Sequence, residues 1–143
     1  AMNVWNQVRS YDNEQMVTFQ PSSNSTGPTG SKITVESLEP GMSGHTEVSS
    51  SGYALTAVHI KLNAGETYST NTAPNTYDVQ TVIMHELGHS LGVRHCHEEW
   101  EDSCFSPTCI LNVMQWQILH NEYRRTLQDY DRSSYQAVYS DIS

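Results

Sequence analysis

Residues 85–95 read HELGHSLGVRH, and the spacing inside this segment constrains the rest of the chain. His85 and His89 are four positions apart, so on an α-helix both imidazoles lie on the same face and can reach one metal ion. Gly92 follows the last residue of the apolar pattern, where glycine adopts a left-handed conformation at little cost and can end the helix. We expect the chain to turn there and to bring His95 back as a third ligand.

Three histidine ligands are typical of a catalytic zinc ion, because they leave a fourth position for a water molecule whose pKa falls to about 7. Glu86 lies about 100° round the helix from His85, outside the ligand positions but able to hydrogen-bond that water. The pattern therefore predicts one catalytic Zn²⁺ ion held by His85, His89 and His95, with Glu86 as the general base.

The motif lies at the end of the strongest helical pattern of the chain, residues 77–91. Asn75 or Thr76 is expected to be the N-cap, with Asp78 in the first turn, where a carboxylate complements the helix dipole. One side of this helix is apolar and is expected to pack on a sheet, while the histidine side faces a cleft.

Strands are predicted mainly before this helix and helices mainly after it. Alternating apolar residues predict strands at 16–20, 32–38, 45–48 and 55–62, a short opening helix at 3–10 and a closing helix at 127–139. The segments 21–31 and 63–77 are rich in turn-forming residues and are predicted loops. The polar segment 45–48 is typical of an edge strand. This order of elements indicates an α+β fold.

Length and charge exclude several classes of function. The 143 residues fit a single domain, 1–143, and carry 16 acidic against 7 basic side chains, a net charge of −9. A basic surface that follows phosphates is therefore excluded, and no nucleic-acid partner is expected. No apolar run approaches the roughly 20 residues of a membrane-spanning helix, so no membrane partner is expected. We expect a monomer.

Together these residues resemble the metzincin clan of zinc endopeptidases, and within it the matrixin-like branch. The resemblance rests on HExxHxxGxxH at 85–95, on Asn112-Val113-Met114 and on the segments 77–82 and 127–139. It implies a zincin/metzincin-like fold with a twisted, mostly parallel sheet, an antiparallel edge strand, an active-site helix and a C-terminal helix. It also implies an N-terminal subdomain 1–92, a C-terminal subdomain 93–143 and a Met-turn in which Met114 lies beneath the zinc.

The same resemblance assigns residues that bind substrate. The segment 44–48 matches the edge strand along which an extended substrate lies, so His45, Thr46 and Glu47 are expected to bind substrate. Physical chemistry agrees, because an edge strand offers unpaired N–H and C=O groups that a peptide can complete. Trp116 and Ile118, which follow the Met-turn, are expected to shape the pocket for the side chain after the cut.

The function that these residues predict is hydrolysis of peptide bonds in extended polypeptides by a metal-activated water. Two alternatives stay open at this point. One is a non-catalytic zinc-binding module that recognises peptides, and the other is a zinc amidase or deacylase that acts on small amides. The expected partner is a protein or peptide substrate, and the expected location is secreted or extracellular.

The segment after the third histidine departs from the common matrixin pattern, because Cys96 stands where matrixins commonly have serine. Cys96, Cys104 and Cys109 allow a disulfide between Cys104 and Cys109, a disulfide between Cys96 and Cys109, or a further zinc site that includes His97. The acidic run at 97–102 predicts a preference for Lys or Arg after the scissile bond, and a solvated loop and a weak calcium site stay open as alternatives.

Overall fold

The structure, a computed structural model, describes residues 1–9, 19, 30–52, 54–96 and 111–140. Its elements in chain order are α1 (Met2–Asn6), β1 (Lys32–Glu36), β2 (Gly44–Ser51), β3 (Ala54–Asn63), β4 (Tyr68–Ser69), β5 (Tyr77–Asp78), α2 (Val79–Ser90) and α3 (Asp129–Ser140). The strand predicted at 16–20, apart from Phe19, lies outside the described residues, and so do most of the loop predicted at 21–31 and the acidic run at 97–102.

The main sheet of the described residues has three strands in the order β1-β3-β2. β1 runs parallel to β3, with Ile33 opposite Ile60, and β2 runs antiparallel to β3, with Thr46 opposite Ile60. The sheet is therefore mixed, and β2 takes the antiparallel edge position that its polar sequence indicates. The mostly parallel sheet stays a prediction, because these three strands include only one parallel pair.

The segment before the active-site helix differs from the predicted loop. Tyr68 and Ser69 pair in parallel with Tyr77 and Asp78, which makes a second, two-stranded sheet within and just after residues 63–77. The prediction that Asn75 or Thr76 caps α2 was wrong, because this pairing holds the backbone extended as far as Asp78. Asp78 is the N-cap instead, and its Oδ2 accepts a hydrogen bond of 3.1 Å from the backbone N–H of Thr81.

The core lies between α2, the inner face of the sheet and the segments that follow α2. Its largest cluster of buried residues contains Trp5, Val8, Val58, Ile60, Met84, Leu87, Leu91, Val93, Val113, Met114, Leu127 and Tyr135. α1 is shorter than predicted but is fixed in this core, because the indole N–H of Trp5 donates to the backbone oxygen of Met84 at 2.8 Å. Within the described residues, none of the helices has both the length and the apolar character that spanning a membrane requires.

The closing helix α3 begins at Asp129, as the sequence predicts within a few residues. Its residue Asp131 is completely buried and accepts hydrogen bonds from the backbone N–H groups of Val113 and Met114, both at 3.0 Å, and of Gln128 at 2.8 Å. A carboxylate that satisfies two buried donors and one part-buried donor fixes the loop at 112–114 against α3.

We predict that Asp131→Ala lowers the free energy of unfolding by about 3 kcal/mol or more, because it leaves three backbone donors without their acceptor. The matched control is Asp129→Ala, since the side chain of Asp129 is fully exposed in the first turn of the same helix. Urea unfolding of both variants measures the difference. Equal losses in the two variants would show that the buried contacts of Asp131 are not what stabilises this loop.

Candidate metal centre

The three histidines of the motif meet because α2 ends where the sequence predicts. The backbone N–H of Gly92 donates to the oxygen of His89 at 2.9 Å, and that of Val93 donates to the oxygen of Gly88 at 3.0 Å. Gly92 has φ +84°, in the left-handed region that favours glycine, so the predicted conformation is confirmed. This turn brings His95 back toward His85 and His89.

The geometry of the three imidazoles fits a metal ion. The Nε2 atom of His89 lies 3.0 Å from that of His85 and 3.1 Å from that of His95, and the third distance is 3.3 Å. Ligand nitrogens about 2.0–2.1 Å from a tetrahedral zinc ion are expected roughly 3.3 Å apart. In the part of the chain that the structure describes, these three residues are the only cluster of potential ligands close enough to hold a metal ion.

Hydrogen bonds to the Nδ1 atoms of His85 and His89 orient these rings for metal binding through Nε2. His85 Nδ1 lies 2.8 Å from the backbone oxygen of Val113, and His89 Nδ1 lies 3.0 Å from that of Val93. A carbonyl accepts only, so each Nδ1 carries the hydrogen and each Nε2 keeps its lone pair. Burial lowers the pKa of His89 to about 4 and the pKa of His85 well below its usual value. Both rings are therefore neutral at pH 7, as metal binding requires.

The third histidine is positioned from two directions. The hydroxyl of Tyr130 on α3 donates to the backbone oxygen of His95 at 2.8 Å. The next residue, Cys96, donates its backbone N–H to the oxygen of Met114 at 2.7 Å. The segment that carries His95 is thus tied to both α3 and the loop at 112–114. Sequence reasoning did not find Tyr130, because no local pattern connects it to a residue 35 positions away.

Met114 packs directly against the helix that carries the first two histidines. It is fully buried, and a side-chain carbon placed at Gly88 would overlap its sulfur and come within 2.9 Å of Trp5 Cζ2. Only a glycine at position 88 lets α2 approach Met114 this closely. Sequence reasoning missed this role of Gly88, although a glycine inside a helix, at a cost of about 1 kcal/mol, is a signal of close packing.

Glu86 occupies a buried position beside the edge strand. Its side chain is only 4% exposed, and burial raises its pKa to about 7. The hydroxyl of Thr46 donates to Glu86 Oε2 at 2.5 Å and also lies 3.0 Å from the backbone oxygen of Glu86. This hydrogen bond favours the charged form and acts against burial on the pKa of Glu86. A side-chain carbon at Gly44 would lie 2.9 Å from Oε1, so glycine there leaves this second oxygen uncrowded.

The histidines and Glu86 open into one cavity of about 410 Å³. Of the residues expected to bind substrate, the cavity is lined by His45, Thr46, Trp116 and Ile118. Glu47 is not among its described lining residues, and its carboxylate accepts a hydrogen bond of 2.7 Å from Lys61 Nζ. Its part in substrate binding stays a prediction.

Trp116 has an unusual feature for a residue in the wall of a cavity. Its indole nitrogen is buried and has no hydrogen-bond partner in the described part of the chain. A buried N–H without a partner costs free energy, so such groups are uncommon in folded proteins. Ile118, by contrast, is buried among Leu62, Tyr77 and Val82 and combines a place in the core with a place in the cavity wall.

Cys96 carries a free thiol, so the predicted disulfide between Cys96 and Cys109 is not formed in this structure. Its sulfur accepts a hydrogen bond of 3.2 Å from the side-chain amide of Asn112, which joins the segment after His95 to the Met114 loop. Cys104 and Cys109 lie outside the described residues, so the remaining arrangements stay predictions.

Comparison with protein families agrees with this geometry. The model of the Matrixin family of peptidases matches residues 36–140, which include β2, the histidine motif, Met114 and α3. The chain therefore belongs to the matrixin family, a branch of the metzincins, and the resemblance inferred from the sequence is confirmed. Matrixins use zinc, which agrees with the donor set described above. Comparisons with curated proteins and with solved structures gave no match.

The buried carboxyl of Glu86 predicts a specific pH dependence in the metal-free protein. The folded-state pKa is raised to about 7 from an ordinary value of 4.5. The contribution of this group to stability is therefore fully present below pH 4.5 and is lost as the pH rises through 7. Glu86→Gln stays neutral at every pH, so between pH 4.5 and 8 we expect its stability to rise by about 3 kcal/mol relative to the wild type.

Urea unfolding of the two proteins, stripped of metal with a chelator, measures this difference over the pH range. The histidines are common to both proteins, so their titration cancels in the comparison. Parallel pH profiles for the wild type and Glu86→Gln would contradict the buried, proton-binding carboxyl.

Proposed function

We propose that the protein is a zinc-dependent endopeptidase that hydrolyses peptide bonds of extended polypeptide substrates. The observation that carries this proposal is the common cavity, in which three converging imidazoles, the buried Glu86 and the edge strand β2 meet. Membership of the matrixin family supports it. A module that only bound zinc and peptide would have no need for a buried carboxyl with a pKa near neutrality.

His85, His89 and His95 would hold the zinc ion through their Nε2 atoms. When bound, the ion supplies Lewis acidity, which polarises the scissile carbonyl and makes a water molecule more acidic. The side chains of the protein carry out the other steps, of which proton transfer is the main one.

Glu86 is placed to move the proton. Its Oε2 is engaged by the hydroxyl of Thr46, while Oε1 faces the space that Gly44 leaves open. Oε1 would accept the proton of the attacking water and then deliver it to the leaving amine. Burial raises the pKa of Glu86 above its ordinary value, which makes its carboxylate a stronger proton acceptor.

The edge strand would bind the substrate backbone. β2 pairs with β3 on one side, and in the described chain no strand pairs with its other side. An extended peptide can add there by β-augmentation, which places its carbonyl groups along the cavity. Trp116 and Ile118 would contact the side chain after the cut. Secretion, the monomeric state and the division at residue 92 stay predictions.

We expect Glu86→Ala to keep zinc but to lose peptidase activity by about 10²- to 10⁴-fold, because the histidines bind the metal while Glu86 moves the proton. Zinc content by mass spectrometry and cleavage of a diverse peptide library measure the two properties. The matched control is Glu39→Ala, an exposed glutamate outside the cavity.

Three outcomes of this experiment would overturn the proposal. Near-normal turnover by Glu86→Ala at normal zinc content would exclude Glu86 as the general base. Zinc binding without any cleavage by the wild type would favour a peptide-binding module. Cleavage confined to small amides would favour an amidase.

Thr46 predicts a separate effect as a positioning residue for Glu86. Thr46→Val removes the hydroxyl but keeps the size of the side chain, so we expect kcat to fall about tenfold or more with little change in KM. Thr46→Ser restores the hydroxyl and is expected to restore most of kcat. A purely structural role for Thr46 would instead leave kcat unchanged in the valine variant, or would give equal losses in both variants.

A further inference from the structure

A second cavity of about 430 Å³ lies between the N-terminal segment and α3. It shares no lining residue with the cavity that contains the three histidines and Glu86, which we call the zinc cavity. Three arginines, Arg9, Arg125 and Arg132, form part of its wall, and Val4, Val8 and Leu127 form an apolar part. We call this cavity the arginine pocket. It is not used by the mechanism proposed above.

The charge of the arginine pocket is opposite to that of the protein. The whole chain has a net charge of −9 and only seven basic residues, so three of its seven cations line one cavity. None of the described residues that line the pocket is an aspartate or glutamate. Such a local excess of positive charge in an acidic protein attracts an anionic group to this one position.

The three arginines have different surroundings. Arg125 is bound through Nε at 2.9 Å and Nη2 at 2.5 Å to the carboxylate of Asp78, so its charge is balanced and its position is fixed. Arg9 donates through Nη1 to the backbone oxygen of Asn6 at 2.8 Å, and a carbonyl orients a guanidinium without neutralising it. The contact of Arg132 with Asp129 is 3.9 Å long, beyond hydrogen-bond distance, and both side chains are exposed.

Among the described residues, the cavity therefore offers two guanidinium groups whose charge no hydrogen-bonded carboxylate balances, on Arg9 and Arg132, next to an apolar wall. Guanidinium forks match carboxylate oxygens in geometry and charge. Val4 is only partly buried in the wall of the pocket, and a small inorganic anion would leave this apolar surface in contact with water. A long polyanion would meet the negative charge of the rest of the surface.

We propose that the arginine pocket binds an acidic peptide segment, in which the carboxylate of Asp or Glu contacts Arg9 and Arg132 and a neighbouring apolar side chain covers Val4. This binding site is separate from the zinc centre and needs neither zinc nor Glu86. It gives the protein a second peptide contact outside the cavity that holds the three histidines.

Titration calorimetry of the zinc-loaded protein tests the proposal with the blocked peptide acetyl-Leu-Glu-Leu-amide. The matched probe acetyl-Leu-Gln-Leu-amide lacks only the charge, and inorganic phosphate lacks the apolar groups. We expect the glutamate peptide to bind at least about fivefold more tightly than either, and high salt to weaken its binding as the Debye length falls from about 10 Å to about 3 Å. Mass spectrometry of the mixture verifies that the peptide stays intact.

Variants of Arg9 and Arg132 test whether the glutamate peptide binds in the arginine pocket. Arg132→Gln is expected to weaken binding of the glutamate peptide roughly threefold, and Arg9→Gln together with Arg132→Gln roughly tenfold. The matched control is Lys32→Gln, which removes one exposed positive charge from β1 and is expected to leave binding unchanged. Because Arg132 is exposed, its single variant is expected to fold normally and to cleave a neutral peptide at the wild-type rate.

Four results would overturn the proposal. They are equal binding of the glutamine peptide, tighter binding of phosphate, an equal loss in Lys32→Gln, and no loss in Arg132→Gln. None of these results depends on turnover at the zinc centre, so a failure here is distinct from a failure of the peptidase function.

Discussion

Three imidazole Nε2 atoms lie within 3.3 Å of one another in this protein, and much of the fold serves to keep them there. In the absence of a metal ion such an arrangement brings three lone pairs together inside a partly buried site, which costs free energy. A bound cation converts that cost into coordination, so metal binding and stability of the native fold are coupled. Much of the fold therefore serves to hold three histidines at a cation site.

The three histidines are held in place by the loop at 112–114 and by α3, which follow the motif in sequence. The backbone oxygen of Val113 accepts from His85, and the oxygen of Met114 accepts from the residue after His95. Asp131 in turn binds the N–H groups of the same two loop residues. One short segment thus transmits the position of α3 to two of the three histidines. Asp131 binds the loop from the side of α3, and the sulfur of Met114 in the same loop packs against Gly88 of α2.

The zinc cavity and the arginine pocket differ in their electrostatics. In the zinc cavity, burial keeps His85 and His89 neutral and makes Glu86 a carboxyl that exchanges its proton near pH 7. In the arginine pocket, the carboxylate of Asp78 balances the charge of Arg125, while Arg132 lies 3.9 Å from Asp129, beyond hydrogen-bond distance. The first cavity is suited to proton transfer and the second to recognition of a fixed negative charge, although both lie in one small acidic chain.

The sequence by itself determined the parts that depend on local spacing. The common face of His85 and His89 follows from helical periodicity, and the turn at Gly92 follows from the conformational freedom of glycine. Periodicity also predicts the approximate positions of β1, β2, β3, α2 and α3, because it acts over a few residues. Only the tertiary structure decided that Asp78 caps α2, that Thr46 binds Glu86, 40 residues away, and that Arg9 and Arg132 line one pocket. Such contacts join distant segments, and their partners are chosen by packing of the whole chain, for which a local pattern carries no signal.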